Sequence, residues 1–336
     1  MEIAKNKSLK EMNTFGIDVL AEQYISISRE KELKEVLRRF YASEIFILGG
    51  GSNMLLTKDI EETVVHINLK GIEVIQETDD FVDLKVAAGE NWHQFVLYCI
   101  ERNYGGLENL SYIPGHVGTS PIQNIGAYGI ELKDHFLSCT AIHRQTLSFK
   151  TFTAQECEFG YRQSIFKNKL KGQYVITSVS FRLLKQKHQL HLEYGSIQET
   201  LTQKKITKPT IKDVSDAVIA IRSSKLPNPN ELGNSGSFFK NPVISGDEFH
   251  LLSEKENLRY YKISDNAYKI PAGWLIDQVG LKAYRDGDAG VHKDQALVLV
   301  NHGNASGEDI LNLAKFVQSK VKERFNIELE PEVNIF

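Results

Sequence analysis

Cysteine is scarce in this chain: Cys99, Cys139 and Cys157 are scattered, odd in number and in no ligand-like spacing. That argues against a disulfide framework and a zinc site, and for a reducing, cytoplasmic setting. No apolar run approaches the length of a membrane span. The polar start MEIAKNKSLKEMNTFGI lacks the apolar centre of a secretory signal. Excess positive charge is missing too. With a net charge of -3 and a pI near 6.4, no global field draws in nucleic acid or an anionic membrane. Lys185, Lys187, Lys204 and Lys205 read as solvated surface. No internal repeat or low-complexity tract appears. What remains is 336 residues of ordinary soluble composition, 41% hydrophobic and 10% aromatic, enough for two or three domains.

The most informative absence is local. Residues 111–130, SYIPGHVGTSPIQNIGAYGI, contain no Lys, Arg, Asp or Glu in a chain that is 25% charged. Gly115, Gly118, Gly126 and Gly129, with Pro114 and Pro121, break any helical or strand period. Small side chains and free backbone N–H groups suit a chain wrapped closely around a large, partly polar ligand. A buried loop that only packs is the alternative reading.

The rest of the chain supplies the frame. Residues 30–40 carry Leu33, Val36, Leu37 and Phe40 at helical spacing. The run IFIL at 45–48 predicts a short buried strand that empties into GGGSN, residues 49–53. Such a turn can aim consecutive N–H groups at phosphate oxygens, a tight glycine hairpin being the alternative reading. It is neither GxGxxG nor a P-loop, and 54–56 reads as strand rather than helix, so a Rossmann unit is not indicated. Strands are expected at 64–69, 82–87 and 174–184. A helix over 91–102 has Trp92, Phe95, Val96, Cys99 and Ile100 on one face, leaving His93 and Tyr98 at the surface. Interleaving is irregular, which favours an α+β fold over a regular βαβ array.

A helix over 212–223 stops at LPNPN, residues 226–230, where a domain boundary is placed. GNSGSFFKNP at 233–242 sets two phenylalanines in a run of small polar residues and reads as either a site loop, the favoured reading, or a hairpin tip. Residues 274–277 and 296–300 supply core. Ser306 caps a long amphipathic helix carrying Ile310, Leu313, Ala314, Val317 and Val321.

Taken together, LGGGSN, GLENLSYIPGHVGTSPIQNIGAYG, FGYRQSIFK, SKLPNP, GSFFKNP, AGWLIDQ and LEPEV stand in order along nearly the whole chain. This set resembles the UDP-N-acetylenolpyruvoylglucosamine reductases. LEYG at 192–195 and the insertion after GSFFKNP resemble the longer type I form with its tyrosine loop. The resemblance implies an α+β fold. An FAD-binding domain of the vanillyl-alcohol-oxidase (PCMH) type is joined by a smaller α+β substrate-binding lid domain. The implied division is 1–226 for the FAD-binding region in two α/β lobes, with the C-terminal strand 327–336 returning to it, and 227–326 for the substrate domain.

By the same resemblance, the cofactor contacts are Gly49, Gly50, Gly51, Ser52, Asn53, Ile113, Pro114, Gly115, Gly118, Thr119, Ser120, Gln123, Asn124, Gly126 and Ala127. GGGSN holds no Cys or His, so the FAD is expected to be non-covalent, with NADPH as co-substrate and no metal. Arg162, Ser237 and Glu332 fall at the catalytic positions, and Tyr161, Tyr194, Lys225, Asn241, Lys282 and Gln295 at substrate-binding ones. A fixed guanidinium suits a carboxylate whose charge grows in the transition state. A serine hydroxyl is a weak acid made effective by position. Glu332 lies four residues from the C-terminus, where fraying is common, so its role requires the last strand to pair. The implied protein is a monomer acting on a UDP-sugar, with no nucleic-acid or membrane partner. An FAD oxidase of the same cofactor fold and a non-catalytic nucleotide-sugar binder are the alternatives.

Overall fold

The run IFIL forms the strand Ile45–Leu48 at the edge of a four-stranded sheet in the computed structural model, which describes residues 2–194 and 196–336. Ile60–Ile67, Leu20–Ile27 and Ala4–Ser8 follow it across that sheet. Ile60–Ile67 pairs in parallel with both of its neighbours, and the register sets Leu48 opposite His66. The glycine loop therefore begins beside a histidine. Helix Glu30–Arg39 buries Leu33, Val36 and Leu37 with Ile25, Ile27 and Val65, as its apolar spacing predicts.

By packing, the chain divides into two compact units. Unit 1 comprises Met1–Lys7, Ala21–Gly50 and Ile60–Arg222; unit 2 comprises Ser8–Leu20, Gly51–Asp59 and Ser223–Phe336. The larger sheet of unit 1 is antiparallel, in the order Phe149–Thr153, Phe136–His143, Tyr174–Leu184, Phe81–Ala87, Ile72–Glu77. Helix Trp92–Glu101 lays Trp92, Phe95, Val96 and Cys99 into the core shared with Val82, Leu84, Phe181 and Leu183. The Phe95 and Phe181 rings sit 5.1 Å apart. Burying each such aromatic contributes on the order of 1.5–3 kcal/mol, which fixes the helix on the sheet. His93 departs from expectation: it is half-buried, because the loop that follows folds back over it.

In unit 2, the sheet Gly233–Ser237, Val298–Asn301, Ala289–Val291, Arg285–Asp286 is antiparallel. Helix Gly307–Phe325 buries the predicted stripe, with Ile310, Leu313, Ala314, Val317 and Val321 all inside. The segment between the GSFFKNP and AGWLIDQ motifs forms a separate three-stranded sheet with helix Gly246–Ser253 against it, and Phe249 stacks on Tyr268 at 3.9 Å. Among the described residues, no helix is long and apolar enough to cross a membrane.

Ser306 closes a capping box: its Oγ accepts from Asp309 N at 3.1 Å while Ser306 N donates to the Asp309 carboxylate at 2.8 Å. Ser306→Ala is expected to cost about 1 kcal/mol. Urea unfolding in a Trp92→Phe background leaves Trp274, whose ring lies 5.7 Å from Phe325 at the far end of that helix, as the reporter. An unchanged midpoint would show that the cap contributes nothing.

Candidate active site

Gly49 and Gly50 leave the strand Ile45–Leu48 and meet the PGHVGT loop backbone to backbone. A Cβ added to Gly50 would lie 2.8 Å from Gly115 Cα and 2.9 Å from His116 N. One added to Gly49 would strike the Thr119 methyl, and one on Gly118 would strike Ala88. Only glycine permits these approaches. Hydrogen bonds fix the second loop from its other side: Trp92 N to Gly115 O at 2.9 Å, Val117 N to Glu90 O at 2.8 Å, Gly118 N to Ala88 O at 2.8 Å. Two segments singled out separately for one cofactor are thus neighbours in unit 1.

Five residues of the uncharged stretch hold left-handed backbone: Tyr112 (φ 60°), Gly115 (114°), Asn124 (48°), Tyr128 (50°) and Gly129 (84°). The three that are not glycine each cost about 1 kcal/mol or more, and such strain persists only where the surroundings over-determine it. Here they do. Tyr112 N donates to His93 Nδ1 at 3.0 Å, its carbonyl accepts from Arg222 Nε at 3.1 Å, and Tyr128 O accepts from Asn109 Nδ2 at 2.9 Å. Ser120 and Asn124 are buried with their side chains engaged by the chain itself. Ser120 Oγ donates to Val117 O at 2.6 Å, and Asn124 Nδ2 donates to Gly160 O at 3.1 Å while its Oδ1 accepts from Lys133 N at 3.1 Å. They shape the loop from behind.

Arg162 sits in the turn closed by reciprocal Gly160–Gln163 backbone bonds of 3.1 Å, with φ at 54°. Its Nη2 donates to Gly126 O at 2.8 Å, so the guanidinium is brought onto the predicted cofactor loop. Arg222, on helix Ile211–Lys225, acts on the same neighbourhood. Burial holds its guanidinium below the usual arginine range; Tyr128 and Tyr112 offset this, and the charge of Arg162 adds to it. No Asp or Glu stands among the groups acting on it. A buried guanidinium whose acting neighbours are two tyrosines and a second guanidinium suits an anionic ligand.

In unit 2, Asn53 Nδ2 donates to Glu332 O at 3.3 Å, and Asn53 O accepts from Asn334 N at 3.2 Å. Strand Asn334–Ile335 pairs in parallel with Met54–Leu55. Glu332 N donates to Phe238 O at 2.8 Å and Lys240 N to Glu330 O at 2.9 Å. The last seven residues are therefore stitched on both sides, and Glu332 is not in a frayed tail. Ser237 ends the strand Gly233–Ser237, opposite Val298, so Ser237 and Glu332 come together through the residue between them in the ladder, Phe238.

The substrate-side residues are divided as well. In unit 1, Tyr161 and Tyr194 are large aromatics left 43% and 57% exposed, and the Tyr194 ring lies against Gly129. Gly195 of the LEYG segment falls outside the described residues. In unit 2, Asn241 Oδ1 accepts from Ala272 N at 2.9 Å at the start of helix Ala272–Gln278, and Gln295 Oε1 packs by Gly273. Lys225 and Lys282 are exposed. Arg222 and His116 were missed by sequence reasoning. For Arg222 a helical pattern carries no signal; for His116 one existed, since it is the only titratable side chain of 111–130 besides two tyrosines.

The glycine cradle, which a Cβ would fill, and the buried His116 Nδ1 beside it, which makes no hydrogen bond, both fit a phosphate-bearing cofactor. Gly50→Ala is expected to push the two loops apart at about 1–3 kcal/mol, roughly a ten- to hundredfold loss of FAD affinity. Fluorescence titration of the apoprotein reads this directly. Wild-type affinity would show that the loops separate without cost.

Comparison with known proteins agrees with these features. Residues 21–145 match the model of an FAD binding domain, and residues 228–336 match that of the C-terminal domain of UDP-N-acetylenolpyruvoylglucosamine reductase. The chain is 57% identical to the UDP-N-acetylenolpyruvoylglucosamine reductase of Flavobacterium johnsoniae over 336 residues, covering 100% of both. It is 47% identical to that of Pseudomonas syringae pv. tomato, covering 98% of this chain and 97% of the relative. The crystal structure of UDP-N-acetylenolpyruvylglucosamine reductase (MurB) from Thermus caldophilus superposes with a TM-score of 0.66 at 25% identity, covering 100% of this chain and 98% of that one. The chain belongs to the UDP-N-acetylenolpyruvoylglucosamine reductase family.

Proposed function

We propose that this chain reduces UDP-N-acetyl-3-O-(1-carboxyvinyl)-glucosamine to UDP-N-acetylmuramate with NADPH, in peptidoglycan precursor synthesis. The observation that carries this reading is the end-to-end 57% identity to a relative bearing that reductase's name. Bound FAD would take hydride from NADPH and supply it to C3 of the enol ether, and C2 must then gain a proton. The residues of this chain do the rest. Arg162 holds the substrate carboxylate, whose negative charge grows as hydride arrives at C3. Ser237 donates the proton to C2. Its position is rigid: Gly236 N is tied to Asn234 Oδ1 at 2.9 Å before it, and Phe238 N to Leu297 O at 2.8 Å after it. A serine hydroxyl gains as an acid chiefly through such fixed placement. Glu332 assists at the carboxylate as a protonated or hydrogen-bonded acid.

Tyr194, Lys225, Asn241 and Lys282 take the UDP-sugar, the lysines supplying charge to its phosphates, with Tyr161 and Gln295 as further contacts. Gly49, Gly50, Gly51, Ser52 and Asn53 give backbone N–H groups to the FAD diphosphate, and 113–127 wrap the remainder. By role, the cofactor region is 1–226 with 327–336, and the substrate region 227–326; packing and role need not draw the same line. The chain works as a monomer in the cytoplasm.

An anaerobic experiment tests the whole reading. One equivalent of NADPH bleaches the yellow protein, and the enolpyruvyl substrate then restores the flavin colour without oxygen. Bleaching that the substrate does not reverse removes the substrate assignment. Ser237→Ala is expected to be bleached normally by NADPH but to turn over roughly a hundred- to ten-thousandfold more slowly. Normal turnover would take Ser237 out of the mechanism.

A further inference from the structure

The glycine loop and its neighbour offer the FAD diphosphate backbone N–H groups and neutral side chains, with no Lys, Arg, Asp or Glu within 111–130. Behind them lies a basic cluster. His66, opposite Leu48 at the end of Ile60–Ile67, stacks on His116 with ring centroids 5.9 Å apart. Tyr24 Oη bonds His66 Nδ1 at 2.7 Å, and Lys70 Nζ donates to Gly89 O. The Ile67 carbonyl favours the protonated His116 ring, and the ring's Nδ1 is buried without a partner. His116 N is also the atom against which Gly50 packs.

We propose that His116 is a diphosphate-binding residue of this chain, and that its Nδ1 takes up one proton as the FAD diphosphate binds. This rests on the FAD reading above. In the tautomer that carries its proton on Nε2, a neutral ring presents a bare lone pair at Nδ1, which repels a phosphate oxygen. Protonation turns that atom into a charged donor, the form a phosphate binds most strongly. Burial, then His66, then Lys70 hold free His116 down to about 4, so the ring is neutral near neutral pH. Burial first, and Lys70 next, lower His66 as well. Glu90, the carboxylate on the adjoining loop, is engaged by Gly71 N at 2.7 Å. An anion arriving at Nδ1 reverses the balance by favouring the charged ring.

The linkage has a definite sign. A group whose proton affinity rises on binding makes binding tighter at low pH and weaker as pH climbs through the bound-state value. FAD affinity is therefore expected to fall by up to about tenfold per pH unit through that window. The test is calorimetric titration of apoprotein with FAD in buffers of different ionisation enthalpy, repeated across pH. The wild type takes up about one proton per FAD. His116→Gln still binds FAD, roughly tenfold more weakly at low pH, without proton uptake. His66→Gln removes a repelling neighbour and moves the window upward. Heats that do not depend on buffer, or proton uptake unchanged in His116→Gln, overturn the proposal while FAD binding stands. Wild-type apoprotein that binds no FAD at any pH overturns the cofactor reading and this proposal with it.

Discussion

Backbone pressed against backbone, where Gly50 meets Gly115 and His116, is the constraint on which the cofactor half of unit 1 depends. That contact has no room for a single carbon, so it fixes glycine at position 50 and sets the height of the second loop over the first. Everything nearby serves it. Helix Trp92–Glu101 is anchored through Trp92 and Phe95 in the core, and its first N–H holds Gly115 O. The aromatic core and the loop geometry are therefore one structure: a shift of that helix would move the loop at Gly115 directly.

A second constraint operates in unit 2 through the C-terminus. Seven residues from the end, a chain normally frays. Here Glu330 and Glu332 ladder with 238–240 on one side, and Asn334 and Phe336 with 53–57 on the other. The consequence is chemical. A carboxylate at 332 and a hydroxyl at 237 keep their spacing because both belong to one hydrogen-bonded strip, with Phe238 and Phe239 buried beneath it. The adjacent phenylalanines that look anomalous in a polar loop are the floor of that strip.

Much of this was legible in the sequence, and the reason is local. Ile45–Leu48, Tyr174–Leu184 and the capped helix Gly307–Phe325 declare themselves through apolar period and a Ser-x-x-Asp start, interactions made within a few residues. The uncharged stretch was legible as irregular backbone, and its five left-handed residues bear that out. What was not legible depends on partners far along the chain. Ile72–Glu77 and Phe149–Thr153 are edge strands with mostly exposed side chains, so neither has an apolar alternation to read. His93 was placed at the surface because the helical wheel cannot foresee that Tyr112 N, 19 residues on, comes to its ring. Arg222 likewise sits in an ordinary helix until Tyr112, Tyr128 and Arg162 are folded around it.

The placement of charge in unit 1 follows one logic. Nothing ionised is built into residues 111–130, yet three cations reach their surroundings from outside: Arg162 donates to Gly126 O, Arg222 to Tyr112 O, Lys70 to Gly89 O. Each is bonded to a backbone carbonyl of a loop that it serves. A carbonyl carries only partial negative charge: it satisfies one donor and orients the group. The neutral loop and the cations that backbone carbonyls orient around it are thus one structure, in which folding fixes where positive charge stands about residues 111–130.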